Sequence, residues 1–522
     1  MITASNSLKI EVFPIKKQKQ TTEKRAEKHT SPFKEYTDTL SDEERLKLDK
    51  YFELLSQRIL LQKPEGELLI TDFKKALLYY AQIGLPLEEA LSRLSPDKLG
   101  GFYCRPAHLW YPLDDAAKIY PLAMKNKQMS IFRLSAYLNE PVVPEILQAA
   151  LTFTIKRFPF FATTIKKGFF WHYIDSTKKR FPISQESYLP CRPINVSVTG
   201  AQSFRVIYYQ NRISLELFHI LTDGTGGMVF LKTLVAEYLR LLGVNIPCEN
   251  GILDIGSTPT ADECSNDFPK ASPVEKVSGF VDKPALQMSG KLSKSKPCRV
   301  LHYELDSNSL RSAAKARGCT ISAFIIALMF IAGKAATDET HGNIHIQVPV
   351  NMRSFYTSNT LRNFSQYCSI RLPVTTISSL DDILPLIKKQ LTENASKEAM
   401  NEMMNATVKM VRSLRFVPLF IKRPAALVAY GFLGDKVFSN TISNLGVIQI
   451  PEEMRPYVTK MDFVLGTSIT NRAACGMLTL GDTTTLSIEK LTADPSFENK
   501  LYSLFEENGV TPVVKGSELI GN

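Results

Sequence analysis

The sequence lacks the cysteine patterns that stabilise secreted domains or bind zinc. Its eight cysteines are spread along 522 residues, with no CxxC pair and no cluster of Cys and His. A disulfide framework and a structural zinc site are therefore not expected, and a reducing compartment fits best. The N-terminal segment MITASNSLKIEVFPIKKQKQ also lacks the apolar core of a signal peptide. These absences together predict a cytoplasmic protein.

Long apolar runs are scarce as well. The longest, ISAFIIALMFIAGKAA, begins at Ile321 and is too short to cross a membrane, so we interpret it as a buried helix. The net charge is +11, but no stripe of Arg and Lys alternates with aromatic residues. The charge permits anionic ligands or lipid surfaces, whereas nucleic-acid binding is not expected.

A second apolar stretch, RFVPLFIKRPAALVAYGF, runs from Arg415 to Phe432 and is interrupted by Lys422, Arg423 and two prolines. The interpretation we favour is a core-facing helix and loop, since single amphipathic stretches are common in cores. The other interpretation is a surface that contacts lipid or a long acyl chain. A peripheral membrane or lipid contact therefore stays open.

What the sequence does contain is two segments of alternating strand and helix patterns, separated by a stretch without periodicity. That stretch is rich in Pro, Ser, Lys and Asp, and a purely helical pattern precedes the first segment. Because 522 residues exceed what one core usually organises, we expect two α/β halves with the main site in the cleft between them. The predicted segments are a disordered basic tail at 1–32, a helical extension at 33–104, a first half at 105–250, a linker at 251–298, a second half at 299–510 and a tail at 511–522.

The stretch LFHILTDGTGG places His219 four residues before Asp223, with three glycines close behind. A metal site on one helix face is disfavoured, because no third ligand is visible nearby and the glycines oppose a helix through Asp223. A second interpretation is a strand end followed by a glycine turn. A third is a general base at a strand end, since the ordinary pKa of histidine lies close to physiological pH. On this stretch alone, the second and third interpretations stay open.

The surrounding motifs carry a family resemblance. HILTDG resembles the HxxxDG signature of the CoA-dependent acyltransferase superfamily, which includes chloramphenicol acetyltransferase, plant acyltransferases, alcohol acetyltransferases and peptide-synthetase condensation domains. VPVNMRS resembles the family's strand with N-x-R, and RNFS occupies the place of the Asn-containing turn after it. TISNLG, from Thr441 to Gly446, resembles the S/T-N-x-G strand of the alcohol acetyltransferase branch, while the absence of DFGWG argues against the plant branch.

The resemblance covers about residues 105–510 and implies a fold. That fold is two similar chloramphenicol acetyltransferase-like α/β sandwich halves with an active-site channel between them. The N-terminal helical extension lies outside the shared part.

The resemblance also implies roles for the matching residues. His219 would be the general base that takes a proton from an acceptor hydroxyl or amine as this group attacks a thioester carbonyl. Asp223 would support catalysis by turning away from the substrate to pair with Arg353, although Arg353 alone is equally typical of a surface ion pair. No covalent enzyme intermediate is required, so the absence of a GxSxG nucleophile motif is consistent.

Four further positions would complete the site. Ser443 and Asn444 would donate to the oxyanion of the tetrahedral intermediate, although Asn and Gly also serve strand-end turns. Gly224 and Gly227 would let the backbone approach the substrates, although Gly227 also suits the start of a helix.

These residues favour an acyltransferase that moves an acyl group, with acetyl as the first guess, to a small alcohol or amine. Acyl-CoA, such as acetyl-CoA, would be a co-substrate, and neither a bound cofactor nor a metal is expected. One alternative is a condensation-type enzyme whose acyl thioester is held by a carrier protein. Another is a non-catalytic binding protein on the same fold.

Overall fold

The structure is a computed structural model that describes most of the chain. The described residues are 31–100, 110–123, 130–177, 179–194, 202–274, 283–294, 297–433, 437–466 and 472–516. The predicted disordered tail at 1–32 lies almost wholly outside these ranges, and a helix begins at Pro32. Within the described ranges, no single helix is long and apolar enough to cross a bilayer. The pair Ser307–Ala316 and Ile321–Ala335 reaches that length and composition together, but it is bent by 81°.

The predicted N-terminal extension is helical. Helix α2 begins with a capping box, in which the Ser41 hydroxyl accepts from the Glu44 N–H and the Glu44 carboxylate accepts from the Ser41 N–H. The buried Tyr80 hydroxyl donates to the Leu241 carbonyl oxygen at 2.8 Å, so the extension packs against the first half. The helices are α1 (Pro32–Asp38), α2 (Asp42–Arg58), α3 (Lys63–Gln82) and α4 (Leu87–Arg93).

The first half contains a small three-stranded sheet and most of a five-stranded sheet. Two hairpins, which turn after Lys167 and at Gln210–Asn211, are antiparallel pairs. Its elements are β1 (Trp110–Pro112), α5 (Tyr120–Ala123), β2 (Ile131–Leu138), α6 (Pro144–Thr154), β3 (Thr163–Lys167), β4 (His172–Ser176), β5 (Ile183–Gln185), β6 (Phe204–Tyr209), β7 (Arg212–Phe218) and α7 (Gly224–Leu241).

The second half is built on a seven-stranded sheet of order β10-β9-β11-β13-β14-β8-β15. The predicted buried helix at Ile321 is confirmed, since every side chain from Ala323 to Phe330 is at most 3% exposed. Its elements are β8 (Arg299–Asp306), α8 (Ser307–Ala316), α9 (Ile321–Ala335), β9 (Asn343–Asn351), β10 (Ser365–Pro373), α10 (Leu380–Asn394), α11 (Lys397–Ser413), α12 (Leu419–Leu433), β11 (Asn440–Ile448), β12 (Val458–Leu465), β13 (Ala473–Leu480), β14 (Thr483–Lys490), α13 (Ser496–Glu507) and β15 (Val513–Gly516).

The second half contributes one strand to the sheet of the first half. Strand β12 follows β11 in the chain, yet it pairs antiparallel with β2 and completes the five-stranded sheet of order β12-β2-β7-β6-β5. Strand β13 then returns to the second half and passes so close that a Cβ at Gly476 would lie 2.2 Å from the Phe463 carbonyl oxygen. The predicted second half at 299–510 therefore contributes one strand to the first half.

The predicted tail at 511–522 is not wholly irregular. Strand β15 pairs antiparallel with β8 at the edge of the large sheet, while residues 517–522 lie outside the described ranges. A short, exposed four-residue segment at a sheet edge gives little periodicity in the sequence, which explains why the pattern did not predict it.

The linker contacts both halves. The Glu263 carboxylate accepts two hydrogen bonds from the Arg157 guanidinium in the first half, at 2.6 and 2.7 Å. The Glu263 carbonyl accepts from the Leu361 N–H in the second half at 2.9 Å. The linker thereby supports the turn that joins β9 to β10, which contains the RNFS motif.

Candidate active site

His219 stands at the end of a buried strand, directly after Phe218 closes β7. Its backbone N–H donates to the Ser130 carbonyl oxygen at 2.8 Å, beside the last residue pair of β2 and β7. The next two residues, Ile220 and Leu221, are fully buried. The backbone is thus fixed on both sides of His219, and this fixes where its side chain lies.

A residue of the second half contacts the His219 ring. The Asn363 amide oxygen accepts from the Ser365 N–H and hydroxyl, so the amide NH₂ is directed at His219. That NH₂ lies 3.3 Å from Nδ1 and donates to the His219 carbonyl oxygen at 3.4 Å. Since Asn363 is almost fully buried, the two halves meet at this histidine.

Aromatic rings surround the imidazole. The Tyr120 ring stacks on it with centroids 5.2 Å apart, and the Phe132 ring meets it edge-on at the same distance. This burial lowers the pKa of His219, while the Asp223 carboxylate and the histidine's own backbone carbonyl act in the opposite direction. Burial also raises the pKa of Tyr120 to about 12. Both rings are therefore neutral at physiological pH.

The Asp223 carboxylate is fully occupied by hydrogen bonds within the protein. One oxygen caps α7 by accepting from the backbone N–H groups of Thr225 and Gly226, both at 3.1 Å. The other accepts from Arg353 Nη1 at 2.7 Å and from the Phe364 N–H at 2.8 Å. The predicted contact between Asp223 and Arg353 is present. With four donors on it, the carboxylate holds the loop together.

Arg353 connects the loop of the first half to the turn of the second. Its guanidinium donates to the carbonyl oxygens of Thr360 and Arg362 at 2.8–3.0 Å and to the Asn351 side chain at 3.1 Å. Only 13% of the side chain is exposed. Arg353 is therefore not the surface ion pair that the sequence left open. Surface pairs contribute little to stability, whereas this guanidinium is buried and donates several hydrogen bonds.

The sequence matches no known family model and no curated protein. Solved structures do match. Trichothecene 15-O-acetyltransferase TRI3 of Fusarium sporotrichioides gives a TM-score of 0.51 at 14% identity, over 77% of this chain and 97% of that one. TRI101 of F. sporotrichioides, solved with coenzyme A and T-2, gives a TM-score of 0.54 at 11% identity, and the match covers 78% of this chain and 100% of that one. The first condensation domain of the CDA synthetase gives a TM-score of 0.50 at 14% identity, and the match covers 77% of this chain and 95% of that one.

The chain has the fold of the CoA-dependent acyltransferases and condensation domains. The predicted fold class is therefore confirmed for the two α/β halves.

The glycines at the start of α7 pack against the protein. A Cβ on Gly224 would lie 2.5 Å from the Leu445 side chain in β11, so this glycine lets the two halves approach. A Cβ on Gly227 would lie 2.6 Å from the Leu217 side chain and 3.2 Å from the Phe132 ring. Both glycines therefore allow close packing within the protein, and Gly227 lies in the first turn of α7. Their predicted role in letting the backbone approach the substrates stays a prediction.

Strand β11 lies against the start of α7 and carries the two predicted oxyanion donors. The two side chains differ in burial and in hydrogen bonding. Ser443 is 9% exposed and lies in the paired part of the strand. Asn444 is exposed, and its amide donates to the Ser322 hydroxyl at 3.1 Å and accepts from the Gly446 N–H at 2.7 Å. Asn444 therefore lies at an irregularity within β11, where the register with β13 shifts, and not in a turn at the end of the strand. The oxyanion roles of Ser443 and Asn444 stay predictions.

Three residues of the site were not assigned a role from the sequence. Asn363 lies in RNFS, a motif noted only as a turn, and Tyr120 belongs to no recognised pattern. Gly226 is the most confined of the three motif glycines, because a Cβ there would lie 2.1 Å from the Leu361 carbonyl oxygen and 2.2 Å from the Thr222 hydroxyl. The second glycine of DGTGG was a signal for this contact, since a repeated glycine in a helix start favours close packing.

Two cavities lie among the described residues, and His219 lines neither of them. The first, of about 600 Å³, lies between the halves beside β2, β8 and β12. The second, of about 530 Å³, lies between α8, α9 and α10. The active-site channel through His219 therefore stays a prediction.

Proposed function

We propose that this protein is an acyltransferase that moves an acyl group from a CoA thioester to a small alcohol or amine. The observation that carries the proposal is a neutral, buried His219 held where the two halves meet. Its pKa is lowered by burial, and Asn363 and the Asp223–Arg353 pair fix its surroundings. The TRI101 structures that share the fold contain coenzyme A with T-2 or deoxynivalenol, which supports a CoA donor and a small acceptor.

His219 would act as the base in one transfer cycle. The base would be the tautomer with its proton on Nδ1, directed at the histidine's own carbonyl oxygen, so that Nε2 carries the lone pair. In this tautomer the Asn363 NH₂ donates to the His219 carbonyl oxygen and not to Nδ1. Nε2 removes the acceptor proton while the acceptor oxygen or nitrogen bonds to the thioester carbon. The tetrahedral intermediate then collapses, the carbon–sulfur bond breaks, and the CoA thiolate takes the proton from the imidazolium. No acyl group is ever attached to the enzyme.

Ser443 is the proposed oxyanion donor. Its hydroxyl belongs to β11, whose Leu445 lies against Gly224 at the start of α7. Asn444 is the weaker candidate, because its NH₂ already donates to the Ser322 hydroxyl and its amide oxygen accepts from the Gly446 N–H. We also retain the proposed segments, 105–250 and 299–510, as the two catalytic halves, and the cytoplasm as the place of action.

A condensation-type activity with a carrier-protein donor is the second candidate, supported by the match to the CDA synthetase condensation domain. A non-catalytic binding protein is the third. One experiment separates them. Purified protein is incubated with a panel of acyl-CoAs and, separately, with acyl groups on a carrier protein, each with and without alcohols and amines. Acceptor-dependent thiol release from CoA supports the first candidate, release only from the carrier supports the second, and acyl-CoA binding without release supports the third.

A further inference from the structure

Five large apolar side chains lie exposed in one region of the surface. They are Phe169, Phe170, Phe416, Phe420 and Ile421, which we call the apolar patch, with exposed fractions of 66%, 37%, 70%, 70% and 52%. Single exposed apolar residues are normal on a protein surface, but a group of them in contact marks an interaction site. The sequence left this choice open for Arg415–Phe432, and the favoured core-facing interpretation is wrong for Phe416, Phe420 and Ile421.

The apolar patch is one continuous surface made from two segments. The tip of the β3–β4 hairpin carries Phe169 and Phe170, whereas Phe416 lies just before α12 and the other two lie in its first turn. The Leu419 N–H donates to the Phe169 carbonyl oxygen at 2.8 Å, and the Phe170 and Phe416 rings lie 6.2 Å apart.

A lysine fastens the two segments to each other. The Lys422 ammonium, on α12, donates to the Phe170 carbonyl oxygen at 2.7 Å and lies 3.2 Å from the centre of the Trp171 ring. Because the hairpin and the helix are joined in this way, the exposed rings belong to an ordered surface and not to two independent loop tips.

Cations surround the apolar patch. The Arg415 guanidinium lies 4.4 Å from the centre of the Phe416 ring, and Lys167 is the residue directly before the hairpin tip. Lys422 and Arg423 follow Ile421 directly in α12, and burial together with the charges of Lys167, Arg423 and Lys422 lowers the pKa of His172 to about 4. Lys167, Arg415 and Arg423 are exposed.

This combination of aromatic rings and cations matches the surface of an anionic bilayer. Phenylalanine side chains insert at the boundary between headgroups and acyl chains, and neighbouring Lys and Arg pair with anionic headgroups. A second copy of the chain fits less well, because a twofold contact through this patch would bring its cations face to face.

We propose that the apolar patch and its cations dock this protein on anionic lipid membranes. The docked face lies near the candidate site, because α12 packs against α5, and α5 begins at the Tyr120 that stacks on His219. The proposal goes beyond the proposed function and does not depend on it, since docking requires no catalysis.

Vesicle binding tests the proposal. The full chain is sedimented with vesicles of phosphatidylcholine alone and of phosphatidylcholine mixed with phosphatidylglycerol, beside the variant Phe169→Ser/Phe416→Ser/Phe420→Ser. The matched control is Leu46→Ser/Leu54→Ser/Leu68→Ser, which removes three leucines of similar exposure, 51–56%, from the helical extension. We expect the patch variant to bind mixed vesicles at least about tenfold more weakly and the control to stay within about twofold of the parent.

A charge variant separates the two components of the surface. Lys167→Glu/Arg423→Glu keeps the rings and is expected to lower binding to the mixed vesicles by about fivefold or more per residue, while binding to phosphatidylcholine alone changes little. Far-ultraviolet circular dichroism confirms that each variant is folded. Equal vesicle binding by the parent and the patch variant would overturn the proposal, as would no binding by the parent. A parent that is dimeric by light scattering, with a monomeric patch variant and no vesicle binding, would assign the patch to a second copy.

Discussion

At the scale of single residues, the site depends on one histidine whose charge state is set by burial. Contact with the stacked Tyr120 ring and the edge-on Phe132 ring removes water from the imidazole and disfavours the imidazolium. The negative charge of Asp223 favours the imidazolium, but this carboxylate is already paired with the Arg353 guanidinium. The neutral form therefore persists to lower pH than in a free histidine.

This lowered pKa predicts how the proposed activity depends on pH. A general base works only when neutral, so the rate is lost as the pH falls through the pKa of His219 in the folded protein. Because that pKa is lowered, the acid limb of the rate profile should lie below the ordinary histidine value of about 6.5. The check is kcat/KM for acyl-CoA across the acid range. An acid limb at or above the ordinary value would contradict the burial account.

The Asp223–Arg353 pair makes a separate prediction through Asp223→Asn. The amide keeps the cap of α7 but leaves a buried guanidinium without its carboxylate and directs an NH₂ at Arg353 or at the Phe364 N–H. We expect the free energy of unfolding to fall by about 2–4 kcal/mol, measured by denaturant titration.

The pH profile distinguishes this structural role from a direct one. Removing the Asp223 charge removes an interaction that raises the pKa of His219, so the acid limb should move to lower pH. Unchanged stability in Asp223→Asn, or an acid limb that moves to higher pH, would show that the carboxylate does not act as described.

At the scale of elements, three glycines allow α7 to begin directly after the histidine loop. Among these glycines, Gly226 has the least space around it. Its φ angle is not in the left-handed region, so a side chain is excluded by steric overlap with neighbouring atoms and not by backbone strain. The neighbours are a carbonyl oxygen and a hydroxyl that are bonded to each other, since Thr222 donates to the Leu361 carbonyl at 2.6 Å.

Gly226→Ala should therefore destabilise the protein. The added methyl group forces α7 away from the turn of the second half, at a cost of about 1–3 kcal/mol in the free energy of unfolding. Gly66→Ala is the matched control: Gly66 is also a buried helix glycine, but a Cβ there would lie 3.6 Å from its nearest neighbour. That control should be neutral or more stable by up to about 1 kcal/mol. Equal effects of the two substitutions would remove the contact as an explanation.

At the scale of the whole molecule, the sequence predicted the two halves and the contact between Asp223 and Arg353. It did not predict that β12 joins the sheet of the first half. Local periodicity shows that Val458–Leu465 can form a strand, yet it carries no information about which sheet that strand joins. Asn363 was missed for a similar reason. Its contact with His219 spans 144 residues, and only the folded chain brings the two together.

The apolar stretch at Arg415–Phe432 shows the same limit in another form. Its composition fits a core helix as well as a surface, and the deciding fact is what covers it. In the structure, the β3–β4 hairpin packs beside α12 through Lys422 and leaves the rings of both segments exposed. A pattern of apolar residues predicts that a face is apolar, and tertiary contacts determine whether that face is buried.

The most direct test of the central claim is acyl transfer by the parent and by His219→Ala under identical conditions. Transfer from the acyl-CoA and acceptor found active in the panel is measured by thiol release and product formation, with circular dichroism to confirm that both proteins are folded. Because general base catalysis typically contributes about a hundred- to ten-thousand-fold, the rate of His219→Ala should fall by at least about a hundredfold. A folded His219→Ala protein that transfers acyl groups at the parent's rate would contradict the account.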